Sequence, residues 1–423
     1  MKPFRCASLL AVGMLLAGAG SVVAARSSTA SADAPPDLRA IFDKPAYKNA
    51  TWGLRVEDGS RVLIDVNPQR QFFIGSVRKI FSVGQLLNAV GAGHTYDTPV
   101  YREGPVDNGV LHGNLILVAS GDLTMGGRSN PDGTVAVSDW DHNEADSLGN
   151  AVLTKPNPLA GYQRLARAVK AAGIDRVDGE VIVDDRLFEP FGFRGEFNVR
   201  PIFVNDDAVD VSIAPGSRAG TRARVAWRPK SAALAVQNRL LTGRANSPNT
   251  LALEPILPVC IGSPHCTSTV QGSLPIDFVA PLIGGHSVVR TVRIVQPSNY
   301  ARTVFVEALK AAGVAVAAPV VEQNPIRLLP AKGSYRSDTR VAKLTGLTVA
   351  QDAKLVLKIS YNIGADTSLV LFGLTHKVDT MPGALQIEQK NLEARYGIAS
   401  SEYHFVDGSG GGDTTATNAA VTK

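Results

Sequence analysis

The chain has 423 residues, of which 44% are hydrophobic and 19% charged, with a formal net charge of +5. That length admits two or three domains, and the composition is globular, which excludes a disordered or collagen-like chain. The charge is small and evenly spread, so the basic footprint of a nucleic-acid partner is absent.

Lys2 and Arg5 precede an apolar run from Leu9 to Leu16, which small residues follow through Ala24 and Ala25. This is the pattern of a secretory signal peptide over residues 1–24. The run is too short for a membrane span, so no transmembrane segment is expected after its removal, and the protein is expected to be periplasmic or secreted. Losing the two cations of the leader lowers the formal charge from +5 to +3. Residues 25–37 are rich in Ser, Ala and Pro and read as a disordered lead-in.

Two β-rich runs, Thr51 to Val56 and Arg61 to Val66, flank a turn at Asp58-Gly59 and predict a hairpin. Next comes Phe72-Phe73-Ile74-Gly75-Ser76-Val77-Arg78-Lys79, with Ile80, Phe81, Val83, Leu86, Leu87 and Val90 at helical spacing. A helix beginning at Ser76 places its hydroxyl and the Lys79 amine on one face, where they can share a proton. The helix start adds unpaired N–H groups and partial positive charge beside a developing oxyanion. These are the parts of a serine acyl-transfer site that uses lysine as base. An ordinary helix cap would also place a serine here.

From about Thr98 to Val288 the pattern is strands and loops, with strands predicted at Val110 to Ala119, Val177 to Asp184, Ala208 to Ala214, Ala223 to Trp227 and Thr250 to Leu253. One helix is predicted over Leu159 to Ala172, stopped by Gly173. So many residues exceed any loop and predict one or two inserted domains, over 98–200 and 201–288. Cys260 and Cys266 are the only cysteines left after the leader, and in an oxidising compartment the Gly-Ser-Pro turn between them favours a disulfide. A metal site using His265 lacks a fourth ligand nearby. The acidic run Asp139, Asp141, His142, Glu144 and Asp146 matches no calcium loop and reads as solvated, so no metal is expected.

Helical patterns return at Tyr300 to Ala312, Ala350 to Ile359, Asp366 to Leu374 and Leu385 to Tyr396, and a final helix is expected to begin near Ala416. Between the second and third lies Ser360-Tyr361-Asn362, where a tight break between helices aims the Ser360 hydroxyl and the Asn362 amide into one cleft. Helix capping would also use both residue types. Asp407-Gly408-Ser409-Gly410-Gly411 is not the trypsin-like Gly-Asp-Ser-Gly-Gly, since its first two residues are reversed. No nucleotide-binding glycine pattern lies outside the leader, and no cofactor is expected.

Gly75-Ser76-Val77-Arg78-Lys79, Ser120-Gly121-Asp122-Leu123-Thr124, Ser360-Tyr361-Asn362 and Asp407-Gly408-Ser409-Gly410 stand in this order, with a long insertion between the first and third. In this the chain resembles the D-alanyl-D-alanine carboxypeptidase/endopeptidases of the penicillin-binding protein 4 type. The resemblance implies an α+β fold, with transpeptidase-like helices on an antiparallel sheet formed by 38–97 and 289–423 and mainly β domains inserted after the nucleophile helix. It implies that Ser76 is the nucleophile, Lys79 its base and Ser360 a proton relay, while Asn362 holds the substrate amide. Asp122 would face the substrate's free amine, with Leu123 standing where the family has proline. Peptidoglycan stem peptides and β-lactams would be the partners. A non-catalytic muropeptide-binding protein is the alternative. After Asn362 there is no Lys-Thr-Gly or Lys-Ser-Gly, the family's third motif; the near match Lys230-Ser231-Ala232 lies in the insertion. The chain is therefore expected to be a truncated form of a longer enzyme, slower than the extended form by about 10² or more.

Overall fold

The structure, a computed structural model, describes residues 34–423, so the expected leader and most of the lead-in lie outside the described residues. The chain divides into two compact units, with the main division between Arg70 and Gln71. In the first, Pro36 and Asp37 open a helix over Pro36–Phe42, because proline at a first helical position gives up an N–H that has no partner there anyway. The hairpin Leu54–Asp58 with Arg61–Val66 follows, and Gly59 takes the left-handed conformation (φ 58°) that its turn needs. Arg55 lies directly opposite Asp65 and pairs with it at 2.6 Å.

The second unit is built in layers of helix and sheet. The helices Lys79–Val90, Val349–Ile359, Asn362–Thr375 and Met381–Tyr396 pack on one another. A small antiparallel sheet has the order Tyr403–His404, Thr415–Thr417, Gln71–Phe73, its last strand leading into the turn that holds Ser76. Residues 415–417, expected to open a helix, are thus a strand, and the helix starts only at Asn418. Thr417 caps it, its hydroxyl accepting from the Ala420 N–H.

A four-stranded sheet has the order Arg340–Thr348, Thr95–Glu103, Asn114–Val118, Val181–Asp184. Its last two strands are parallel, and the helix Ala160–Ala171 provides the crossover between them. That helix forms because Tyr162, Leu165, Ala166 and Val169 share one face, all at most 1% exposed, and it stops where Gly173 adopts φ 84°. Each large side chain so buried contributes about 1.5–3 kcal/mol. The helix Pro297–Ala311 packs beside it, burying Tyr300, Val304, Phe305 and Leu309 in the largest core.

Val288–Arg293 pairs antiparallel with Ala208–Ala214, and Ala315–Val316 pairs with Arg176–Val177. The strand Arg340–Thr348 pairs with Thr95–Glu103 and leads into the helix Val349–Ile359. A second core joins Val83, Leu355, Val356 and Ile359 of the helices to Phe188, Phe191, Phe193 and Phe203 of the insertion, so the hairpin Phe191–Phe193 with Phe197–Val199 is seated on the helical layer. Among the described residues, no helix is long and apolar enough to cross a membrane.

Candidate active site

The strand Gln71–Phe73 delivers the chain into a tight 3-10 turn, Gly75–Arg78, and the regular helix begins at Lys79 rather than at Ser76. In a 3-10 turn residues three apart eclipse one another, which suits the Ser76 and Lys79 side chains better than an α-turn would. The Lys79 Nζ lies 2.7 Å from the Ser76 Oγ. The helix Val349–Ile359 ends at Ser360, whose left-handed backbone (φ 58°, ψ 38°) turns the chain at once into the next helix. A non-glycine residue in this region costs on the order of 1 kcal/mol, and here it aims the side chain. The Ser360 hydroxyl donates to the Ser76 Oγ at 2.8 Å. Ser76 is thereby held between an amine and a second hydroxyl.

Lys79 is 1% exposed and donates to the Ser409 carbonyl at 2.9 Å. Burial lowers its pKa to about 8, against the opposing charges of Asp366, Glu144 and Asp407. About a tenth of the amine is then free base at pH 7, far more than an ordinary lysine would provide.

The Ser409 carbonyl is placed by a pinned loop. Asp407 Oδ1 accepts the N–H groups of Ser409, at 2.9 Å, and Gly410, at 2.7 Å. Asp366 accepts the Gly408 N–H at 2.8 Å, and the Ser82 hydroxyl donates to the Gly408 carbonyl at 2.7 Å. Gly410 is required, because a Cβ there would lie 1.9 Å from the Gly75 carbonyl oxygen. Asp366 is 3% exposed, and burial, then the Asp407 charge, push its pKa up to about 7. Beneath the turn, Arg78 forks onto Glu388, donates to the Asp407 carbonyl at 2.9 Å and lies 4.1 Å over the Phe405 ring. Sequence reasoning assigned no role to Asp366, Ser82 or the Arg78–Glu388 pair. Asp366 was within reach of it, since it stands four residues after Asn362 and so on the same helix face.

Asn362 opens its helix and lines a cleft of about 200 Å³ with Tyr361, Ile363, Arg194, Arg293 and Glu144. Asp122 is placed elsewhere. Its Oδ1 accepts from the Thr124 N–H at 2.9 Å, the Met125 N–H at 3.1 Å and the Thr124 hydroxyl, and it is 2% exposed. It closes its own loop, shares no hydrogen bond with Ser76, Lys79, Ser360 or Asn362, and burial raises its pKa. The carboxylate expected to face a substrate amine is hydrogen-bonded within its own loop.

Cys260 and Cys266 are joined by a disulfide, with Cα atoms 5.3 Å apart, so neither sulfur is left as a ligand beside His265. The acidic run also departs from the expected solvated loop. Asp141 and His142 are buried, Arg128 forks onto Asp141 and also pairs with Asp206, and His142 bridges Asp206 and Asp210. Burial alone would lower the His142 pKa, but the Asp210 and Asp206 carboxylates raise it to about 9. Asp141, His142 and Asp206 lie close enough together for one cation, but Arg128 already compensates both carboxylates, so the cluster reads as internal charge balance. It also fixes the run whose later members, Asn143, Glu144 and Asp146, line the cleft.

Known proteins resemble this chain over most of its length. The model of the D-Ala-D-Ala carboxypeptidase 3 (S13) family matches residues 36–414. A D-alanyl-D-alanine carboxypeptidase of Actinomadura sp. (strain R39) is 26% identical over 337 residues, covering 74% of this chain and 54% of that protein. The chain thus spans about half the length of this curated relative. Penicillin binding protein 4 (dacB) from Haemophilus influenzae superposes with a TM-score of 0.61 at 16% identity, covering 86% of this chain and 71% of that one. The same protein complexed with a novel beta-lactam gives 0.58, over 86% and 70% of the two chains. At such identity these structures bear on the fold, which is the α+β arrangement expected.

Proposed function

Because the chain belongs to the D-Ala-D-Ala carboxypeptidase 3 (S13) family, we propose that it is a serine-type D-Ala-D-Ala carboxypeptidase that acts on peptidoglycan stem peptides through an acyl-enzyme on Ser76 and is acylated there by β-lactams. The observation that carries this reading is the Ser76 hydroxyl held by both Lys79 and Ser360, with Lys79 buried enough to be a base. In the free-base form, Lys79 accepts the Ser76 proton as Oγ attacks the penultimate D-alanine carbonyl. The Ser409 carbonyl keeps the amine aimed at Ser76 throughout. As the tetrahedral intermediate collapses, the Ser360 hydroxyl passes a proton to the departing D-alanine nitrogen and takes its replacement from the Lys79 ammonium, so the proton removed from Ser76 ends on the leaving amine. Asn362, at the cleft wall, donates to the amide of the acyl portion. Water then attacks the ester, with the same lysine as base. Action on the cell wall calls for export to the periplasm or exterior, and the leader pattern together with the Cys260–Cys266 bridge supports that placement.

Release of D-alanine from a D-Ala-D-Ala-terminated peptide tests the reading. Turnover by the wild type that disappears in Ser76→Ala supports it. A folded wild type that binds the peptide without releasing D-alanine would make the chain a muropeptide-binding module.

A further inference from the structure

The cleft beside Asn362 has a wall contributed by the insertion, and that wall carries an uncommitted cation. The hairpin Phe191–Phe193 with Phe197–Val199 is rooted in the helical layer, since Phe191, Phe193 and Val199 are buried in one core with Val83, Ile359, Tyr361 and Ile363. Its tip is Arg194-Gly195-Glu196, and Arg194 holds a left-handed backbone (φ 51°). The Arg194 guanidinium carbon lies 4.9 Å from the centre of the Phe193 ring, a stacking that limits its rotamers. The side chain is exposed, lines the cleft with Tyr361, Asn362 and Ile363, and among the described residues makes no ion pair within 4.0 Å.

Three of the other four charged groups of this wall have partners. Arg293 donates to the Asn143 carbonyl at 2.8 Å, Asp146 takes the Thr291 hydroxyl at 2.6 Å, and Glu144 takes the Ser147 hydroxyl at 2.8 Å. Glu196 shares the hairpin tip with Arg194 without pairing to it. A stacked, unpaired guanidinium beside a cleft presents its planar fork of donors to a carboxylate. The Arg194 charge is also felt at Lys79, whose pKa it helps to lower, so its field extends to the reacting groups.

We propose that Arg194, on a hairpin of the insertion, is a specificity-determining anchor that binds a carboxylate of the acyl donor and holds it against Ser76. This inference rests on the acylation chemistry proposed above. It gives the insertion a direct part in substrate selection.

The test compares benzylpenicillin, a carboxylate, with its neutral methyl ester, as second-order rates of Ser76 acylation in the wild type, Arg194→Gln and Arg194→Lys. The wild type should prefer the free acid by at least about tenfold, the scale of a charge-assisted hydrogen bond discounted for exposure. Arg194→Gln should lose that preference through a slower reaction with the acid alone, and Arg194→Lys should keep part of it. A preference for the acid that survives in Arg194→Gln, or a wild type that takes acid and ester equally, overturns the anchor while acylation at Ser76 stands. An equal fall for both compounds in Arg194→Gln assigns the residue a structural role and also overturns it. A wild type that neither compound acylates overturns both the anchor and the proposed function.

Discussion

Replacing Asp366 by Asn removes a buried negative charge while leaving an acceptor for the Gly408 N–H. The wild-type carboxyl has its pKa raised from 3.8 to about 7, so in this range the folded protein binds a proton that the unfolded chain has released. A raised carboxyl pKa costs nothing below about pH 4, where both states are protonated, and its full cost applies above about pH 7. Three pKa units correspond to on the order of 4 kcal/mol, so Asp366→Asn should be more stable than the wild type by a few kcal/mol at pH 8 and nearly equal to it at pH 4. Activity should move in a linked way. The Asp366 charge raises the Lys79 pKa, so its removal keeps the amine basic to lower pH, and the acidic limb of penicillin acylation should shift down by about one pH unit. Thermal melts and acylation rates across about pH 4 to 9 check both parts. A variant whose melting temperature keeps the wild-type dependence on pH would refute the buried-charge reasoning.

Lys79→Ala should slow Ser76 acylation by about 10² to 10⁴, the value of general-base assistance. In the wild type the rate should fall as pH drops through about 8, because the ammonium form cannot take the proton; a flat profile from pH 6 to 9 would exclude Lys79 as base. Arg78→Ala leaves Glu388 buried and unpaired and should destabilise the protein by about 3–5 kcal/mol, read by urea unfolding; the double variant with Glu388→Gln should recover part of the loss. Reducing or removing the Cys260–Cys266 bridge should cost about 2 kcal/mol and leave acylation unchanged, and free-thiol labelling of unreduced protein should find no reactive group.

What could be read from the sequence was local. Tyr162, Leu165 and Val169 mark a helix by spacing alone, and Gly173 marks its end. The break at Ser360 was visible because two helical patterns meet there with no room for a loop. The three-residue interval from Ser76 to Lys79 was equally plain, but the turn that joins them is tighter than an α-helix, and the loop beneath it comes from more than three hundred residues away in Asp407 to Gly411. Long-range partners account for what was misread. The run through Asp141 and His142 looked solvated because Arg128, Asp206 and Asp210, which bury it, are scattered along the chain. Asp122 sits in a motif-like loop whose Asp-x-Thr spacing also satisfies the loop's own backbone, a use that the sequence alone did not suggest. The pairing of Val288–Arg293 was hidden for the same reason, since nothing in that strand announces a partner at Ala208–Ala214.

Mass spectrometry of the intact chain and its peptides after reaction with benzylpenicillin tests the central claim most directly. A single penicilloyl adduct on the peptide containing Ser76, absent from Ser76→Ala and much reduced in Lys79→Ala, is the predicted result. An adduct on Ser360, Ser409 or any other serine, or none on the folded wild type, would contradict it.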